Sequence, residues 1–248
     1  GKGASHLLMR SLLALSFVAL LAPLHASSSS VEDSELNALS ARLRARNLQV
    51  DRLQRVSPHL VEVTIKGETV YATPDGNIML FGQAISFDQN ERPTNLTTAA
   101  LWNKVLELVN NGSTIKYKAD NEKATLVVFT DYTCGYCGKF HASVPELNKQ
   151  GISIAYLAFP RSGPNSPSYE TMRSVWCADN PQEALTNAFN GAQIAAQRCA
   201  RADAVDQGWE LSQKLGMQGT PSMMLPGGHV VTGYHSVEDI MKLLDVAS

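Results

Sequence analysis

The 248-residue chain carries no surplus charge, since 21 Lys and Arg stand against 23 Asp and Glu. Such a balance recommends neither nucleic acid nor an anionic membrane as a partner. No apolar run is long enough to span a bilayer, which takes about 20 residues; the run Ser11–Leu21 reaches only about a dozen. Cysteine is scarce: Cys134, Cys137, Cys177 and Cys199 are all there is. The sequence also lacks a second short cysteine pair and any His-x-x-His, so Cys134-x-x-Cys137 has no other half-site with which to hold zinc. No metal is expected. What the chain does have is 44% hydrophobic residues, enough for one full core and compatible with one large domain or two small ones.

The order of the first residues is informative. Met9-Arg10 precedes the apolar run, and Pro23 and the small residues Ala26–Ser30 follow it, as in a cleavable export signal. Cleavage after Ala26 is expected, with Met9 as the natural start and Gly1–Leu8 a cloning scar or upstream translation, so residues 1–26 are set apart from the fold. Export changes what the cysteines mean. In an oxidising compartment an even set favours two bridges over four thiols. Three pairings are open in principle; the two-residue spacer makes Cys134 with Cys137 the obvious short loop, which leaves Cys177 with Cys199.

Leu36, Leu39 and Leu43 recur at helical spacing, with Ser34 placed to cap a short helix running to Arg46. Val61, Val63 and Ile65 alternate with polar residues, Lys66-Gly67 turns, Thr69–Ala72 continues, and Pro74-Asp75-Gly76 leads to Asn77–Phe81. This predicts an α+β unit over residues 27–92, thin in core and without cysteine, for which association is the plausible remedy. A linker helix is expected within residues 93–112, from Leu96 to Val109, with Asn95 or Thr97 as its cap and Trp102 packing. From residue 113 the pattern becomes strand, strand, helix, strand: Thr114–Lys118, Thr125–Thr130, Cys134–Gln150 and Ile152–Phe159. A helical stretch from Ser168 to Leu215 follows, with Asn180-Pro181 opening a helix inside it. The hairpin Ser222–Leu225 with His229–Val231 and a helix from Val237 capped by Ser236 close the chain.

Thiol–disulfide exchange needs a reachable thiolate and a second thiol close enough to release a trapped mixed disulfide. Cys134-Gly135-Tyr136-Cys137 supplies both. If a helix begins there, Cys134 sits against unpaired N–H groups and the positive end of the helix dipole, while Cys137 lies one turn inward. Asp131, Tyr132 and Thr133 carry Cys134 out of its strand. A purely structural Cys134–Cys137 bridge is disfavoured, because so small a loop removes little chain entropy. His141, one helical turn beyond Cys137, reads as a solvated helix histidine, and at least one of Met223 and Met224 as core.

Thr130-Asp131-Tyr132-Thr133-Cys134-Gly135-Tyr136-Cys137, Tyr156-Leu157-Ala158-Phe159-Pro160-Arg161, Trp176-Cys177-Ala178 and Gly219-Thr220-Pro221 resemble the DsbC/DsbG family of periplasmic disulfide isomerases, on its DsbC branch. The resemblance implies an N-terminal dimerisation domain related to cystatin folds (27–92), a helical linker (93–112) and an α/β thioredoxin-fold catalytic domain with a helical insertion (113–248). It implies Cys134 as attacking thiol, Cys137 as resolving thiol, and Gly135 and Tyr136 in the active-site loop. Pro221 is implied as a cis-proline beside Thr220, whose backbone would pair with substrate. It makes Cys177–Cys199 a structural disulfide. No cofactor is implied beyond the dithiol itself; the implied partners are misoxidised exported proteins, a second copy of the chain and the membrane reductase DsbD, all in the periplasm. A dithiol oxidase and a chaperone or thiol reductase of DsbG type are the alternatives. Gly135-Tyr136 lacks the histidine of strongly oxidising motifs, which implies a milder oxidant. Val128 stands where ordinary thioredoxins carry a buried aspartate, so a base for Cys137 has to come from elsewhere.

Overall fold

The computed structural model describes residues 27–247, so the expected export segment lies outside the described residues. The chain divides into two compact units between Leu80 and Phe81. In the first, helix α1 (Ser27–Ala45) packs on an antiparallel sheet of β1 (Val50–Ser57), β2 (Leu60–Ile65), β3 (Glu68–Ala72) and β4 (Met79–Leu80), paired in chain order. The stripe of α1 meets the inward residues of the sheet: Leu39 and Leu43 bury against Val61, Val63, Val70 and Ala72. Lys66 and Gly67 both take positive φ, 50° and 76°, which is the backbone that a two-residue hairpin turn requires.

Three details of this unit depart from expectation. α1 begins well before Ser34, which therefore sits inside the helix and caps nothing. β1, Val-Asp-Arg-Leu-Gln-Arg-Val-Ser, is an unforeseen strand; it lies on the sheet edge, and half of its residues are exposed, so it has little apolar alternation to reveal it. The strand expected over Asn77–Phe81 shrinks to Met79–Leu80. The Asp75 carboxylate accepts hydrogen bonds from the Thr73 hydroxyl (2.6 Å) and the Asn77 N–H (2.9 Å), which holds the preceding chain in a loop.

The second unit opens with the hairpin β5 (Ile85–Phe87) and β6 (Pro93–Asn95), which runs directly into α2 (Leu96–Asn110). Asn95 caps α2, its side chain accepting from the N–H groups of Thr97 and Thr98 at 3.1 Å. The boundary expected between residues 92 and 93 therefore falls inside a hairpin. α2 also does more than link: Val105 and Leu108 are fully buried with Val127, Phe129, Leu157, Leu211 and Leu215 on one face of the main sheet.

That sheet has the order β11-β10-β8-β9-β7, from β7 (Ile115–Tyr117), β8 (Ala124–Thr130), β9 (Ile152–Ala158), β10 (Ser222–Leu225) and β11 (His229–Thr232). β8 and β9 are parallel, in register from Ala124↔Ile152 to Thr130↔Ala158, and the other pairs are antiparallel. Buried on both faces, β8 and β9 are continuous apolar runs. The expected helix Cys134–Gln150 is two helices, α3 (Gly135–Ala142) and α4 (Val144–Lys149), because Pro145 removes a backbone donor near Ser143. The helical stretch resolves into α5 (Pro167–Cys177), α6 (Pro181–Phe189) capped by Asn180, and α7 (Asp203–Lys214), with irregular chain between α6 and α7. α7 crosses β9 so closely that a Cβ on Gly208 would lie 2.5 Å from the Ala158 carbonyl oxygen. α8 (Val237–Ala247), with Ser236 accepting from the Asp239 N–H, closes the fold. Cys177 and Cys199 form a disulfide across a sequence separation of 22, a loop whose closure contributes about 3 kcal/mol by restricting the unfolded chain.

His141 is not solvated. It is 9% exposed, stacked on Phe189 at 4.7 Å and hydrogen-bonded at 2.9 Å to both Tyr156 and Thr186. α6 and β9 cover a helix face that periodicity alone leaves open. Burial lowers its pKa to about 4, against about 6.5 for an exposed histidine. The folded state thus binds this proton less tightly than the unfolded chain, and stability is full above pH about 6.5 and falls as pH drops towards 4. Denaturant unfolding at a series of pH values is expected to show this decline in the wild type and a shallower one in His141→Gln.

Candidate active site

Strand β8 delivers the chain to the site and helix α3 begins at it. Asp131 sits just past the end of β8, 1% exposed, and each carboxylate oxygen holds a different piece of chain. Oδ1 accepts from the Thr133 N–H (2.9 Å) and hydroxyl (2.7 Å), which folds residues 131–134 into a tight turn. Oδ2 accepts from the Arg161 N–H (2.9 Å) and its Nε–H (3.0 Å), which ties the loop after β9 to the loop after β8. The parallel register brings these loops level, Thr130 facing Ala158.

Cys134 is the N-cap residue of α3, with φ −87° and ψ 121°. Its thiol donates to the Thr220 carbonyl oxygen at 3.4 Å, and the Thr220–Pro221 peptide bond is cis. At 6% exposed, Cys134 is more covered than a freely reachable thiol, because it leans on the Thr220–Pro221 loop; Tyr136, at 64% exposed, stands out beside it. Burial pushes the Cys134 thiol up, but the Thr220 side chain, the Cys137 N–H and thiol, and the charge of Arg161 together outweigh it and leave it below the usual thiol range. The Cys137 N–H is the third of α3, and although the Cys134 thiol makes no capping hydrogen bond to it, it is among the helix-start groups that favour a thiolate there.

Cys137 is fully buried, and burial pushes its thiol up to about 11 despite help from the side chains of Thr220 and Thr130 and the backbone of Asp131. The hydroxyls of Thr130 and Thr220 have no hydrogen-bond partner in the dithiol. Both face the sulfurs, so a thiolate is the acceptor they lack.

The sequence-derived residues therefore meet: Cys134, Gly135, Tyr136 and Cys137 open α3, and Thr220 and Pro221 bear on them. Cys177 and Cys199 belong to the separate disulfide between α5 and the turn before α7. In the sequence Asp131 reads only as loop, and nothing local gives Arg161 or Thr130 a role. The signal available for them was position at the C-terminal ends of adjacent parallel strands, where ligands and reacting groups gather in α/β folds. Arg161→Met is expected to move the Cys134 thiolate titration, followed by ultraviolet absorbance, to higher pH; an unmoved titration would show that the guanidinium does not act on the sulfur.

A family model described as a thioredoxin-like domain matches residues 111–248. The thiol:disulfide interchange protein DsbC of Dickeya dadantii is 36% identical over 183 residues, 74% of this chain and 75% of that protein. Its namesake in Salmonella typhimurium is 31% identical over 226 residues, 91% of this chain and 92% of its own. That of Escherichia coli K12 is 35% identical over 176 residues, 71% of this chain and 72% of its own. With a thiolate-stabilising helix start in a thioredoxin-like unit and likeness on this scale, the chain belongs to the DsbC family of thiol:disulfide interchange enzymes.

Proposed function

We propose that the protein is a periplasmic disulfide isomerase. The observation that supports this best is the opposite displacement of two neighbouring thiols, Cys134 lowered and Cys137 pushed up to about 11, as a nucleophile and a held-back resolving thiol require. The Cys134 thiolate attacks one sulfur of a wrong substrate disulfide, forming a mixed disulfide and releasing the other sulfur as a thiolate. That thiolate, or another substrate thiol, attacks the substrate sulfur of the mixed disulfide and expels Cys134, with no net transfer of electrons. Alternatively Cys137 attacks Cys134 and releases reduced substrate, and an electron donor must then reduce the Cys134–Cys137 bond. By family likeness that donor is the membrane reductase DsbD. Tyr136 and the backbone of Thr220 beside Pro221 would hold the substrate strand.

The first unit, on this reading, is a cystatin-like dimerisation domain. Three features support it: a core of few residues, the free edge of β4, and Val31, Ile78 and Leu80 exposed on that unit. Among the described residues no helix is long and apolar enough to cross a membrane. Export to the periplasm rests on the first 26 residues and on the family.

The test is recovery of a multi-disulfide protein with scrambled bonds in a glutathione buffer. Wild type is expected to restore it, Cys134→Ala to fail and Cys137→Ala to retain part of the activity. Cys134→Ala matching wild type would replace the thiol mechanism with a chaperone, and wild type acting only on fully reduced substrate would make it an oxidase. Sedimentation at micromolar concentration is expected to show a dimer; a monomer would remove the role assigned to the first unit.

A further inference from the structure

Cys134 is only 6% exposed, so a disulfide that reaches it has to lie close against the surface around it. The Thr220–Pro221 loop forms one border of that surface, since the Thr220 carbonyl oxygen accepts from the Cys134 thiol. The start of α3 forms another, where Gly135, Tyr136 and Lys139 are exposed. Tyr136 is the large apolar group there, and among the described residues it belongs to none of the three cores. A single ring in water would need no explanation, but this one has a partner.

That partner is Tyr234. β11 ends at Thr232, and Gly233, at φ 91°, turns the chain there. The Gly233 N–H donates to the Pro221 carbonyl oxygen at 2.8 Å, which ties this turn to the cis-proline loop. Tyr234 follows directly, half-buried and packed against the core that holds Phe140 of α3. Its ring centroid lies 6.5 Å from that of Tyr136, with 30° between the ring planes, and Lys139 Nζ stands 4.4 Å from the same centroid. Ring pairs attract out to about 7 Å, and a cation over a ring face to about 6 Å. Tyr234 therefore joins both borders of the site, α3 through Tyr136 and Lys139, and the Thr220–Pro221 loop through the peptide before it. Anchored in the core and held by a cation, it gives the exposed Tyr136 ring a fixed neighbour.

We infer that Tyr136 and Tyr234 form an aromatic shelf that takes an aromatic or aliphatic side chain of the substrate, two residues from the cysteine under attack. This rests on the isomerase reading, in which the backbone of Thr220 pairs with an extended substrate strand, and it makes Tyr234 a specificity-determining residue. Side chains alternate along a strand, so the residues two places from the reacting cysteine point the same way as its sulfur, toward the enzyme, about 7 Å along the chain. Tyr136 is two residues from Cys134, and chain geometry alone keeps their Cα atoms within about 7.6 Å. The chemistry of wrong disulfides supplies the occupant. Cysteine is among the residue types most often buried in native proteins, so the segments that carry it are rich in apolar residues, and misfolding exposes them. A shelf beside the nucleophile favours cysteines whose neighbours belong in a core.

The test is the reaction of the reduced full chain with two symmetric peptide disulfides, one of Phe-Ser-Cys-Ser-Phe and one of Ser-Ser-Cys-Ser-Ser, followed by acid quench and chromatography. The Cys134 thiolate attacks one peptide sulfur, the Cys134–peptide bond forms, the peptide–peptide bond breaks, and the second peptide leaves as a thiolate that solvent protonates. Each rate is divided by that of the same peptide with dithiothreitol, which removes differences intrinsic to the peptides. Wild type is expected to prefer the phenylalanine peptide by about 10-fold, the scale of one aromatic contact. Tyr234→Ala is expected to cut that preference to about 2-fold or less, and Tyr234→Phe to keep it, because the ring and not the hydroxyl makes the contact. Tyr136→Ala, at an exposed position, carries the same prediction should Tyr234→Ala fail to fold. A wild-type ratio near one overturns the shelf and leaves the isomerase reading standing. So does a folded alanine variant that keeps the wild-type ratio, including one that slows both peptides alike, as the loss of mere structural support would. No attack on either peptide by the wild type removes both.

Discussion

A helix that begins between two sulfurs makes them unlike. Cys134 lies at the cap of α3, beside the N–H groups of the first turn that have no carbonyl within the helix to bond; Cys137 lies inside that turn, fully buried. Burial raises both thiols, but at Cys134 the helix terminus, Thr220 and Arg161 together outweigh it, and at Cys137 it prevails. The same four residues thus give a thiol below its usual range beside another at about 11. Exchange chemistry follows, because the first sulfur is ready to attack and the second is withheld until a mixed disulfide exists.

That geometry depends on keeping the start of α3 in place, and a buried carboxylate does this. Asp131 is satisfied by four hydrogen bonds, two from Thr133 and two from Arg161. Burying a charge is costly unless it is paired and fully bonded, and here the pairing also sets Arg161 near the sulfurs. From the other side, the Thr220–Pro221 loop supplies a carbonyl to the Cys134 thiol and an unpartnered hydroxyl for a thiolate. Strand pairing links the two sides, since Ser222 of β10 lies opposite Phe129 of β8.

Much of this was legible because local chemistry and tertiary structure agree. The Asn95, Asn180 and Ser236 caps, the hairpin of β10 and β11, and the strand–motif–helix order could all be read from neighbours in sequence. What could not be read depends on partners far along the chain. His141 reads as solvated until Phe189 and Thr186 cover it from α6. β1 is half exposed and lies at the sheet edge, so pairing rather than pattern makes it a strand. Arg161 gains a role only once parallel pairing of β8 and β9 sets its loop beside Asp131. α2 reads as a linker because its apolar side is visible in the sequence but the second core that receives it is not.

The most direct test of the central asymmetry is alkylation of the reduced protein across a pH series, with the modified cysteine identified by peptide mass mapping. The account predicts that Cys134 reacts at neutral pH and that Cys137 becomes reactive only as the pH approaches about 11. Equal reactivity of the two thiols at neutral pH, or modification of Cys137 first, would contradict it.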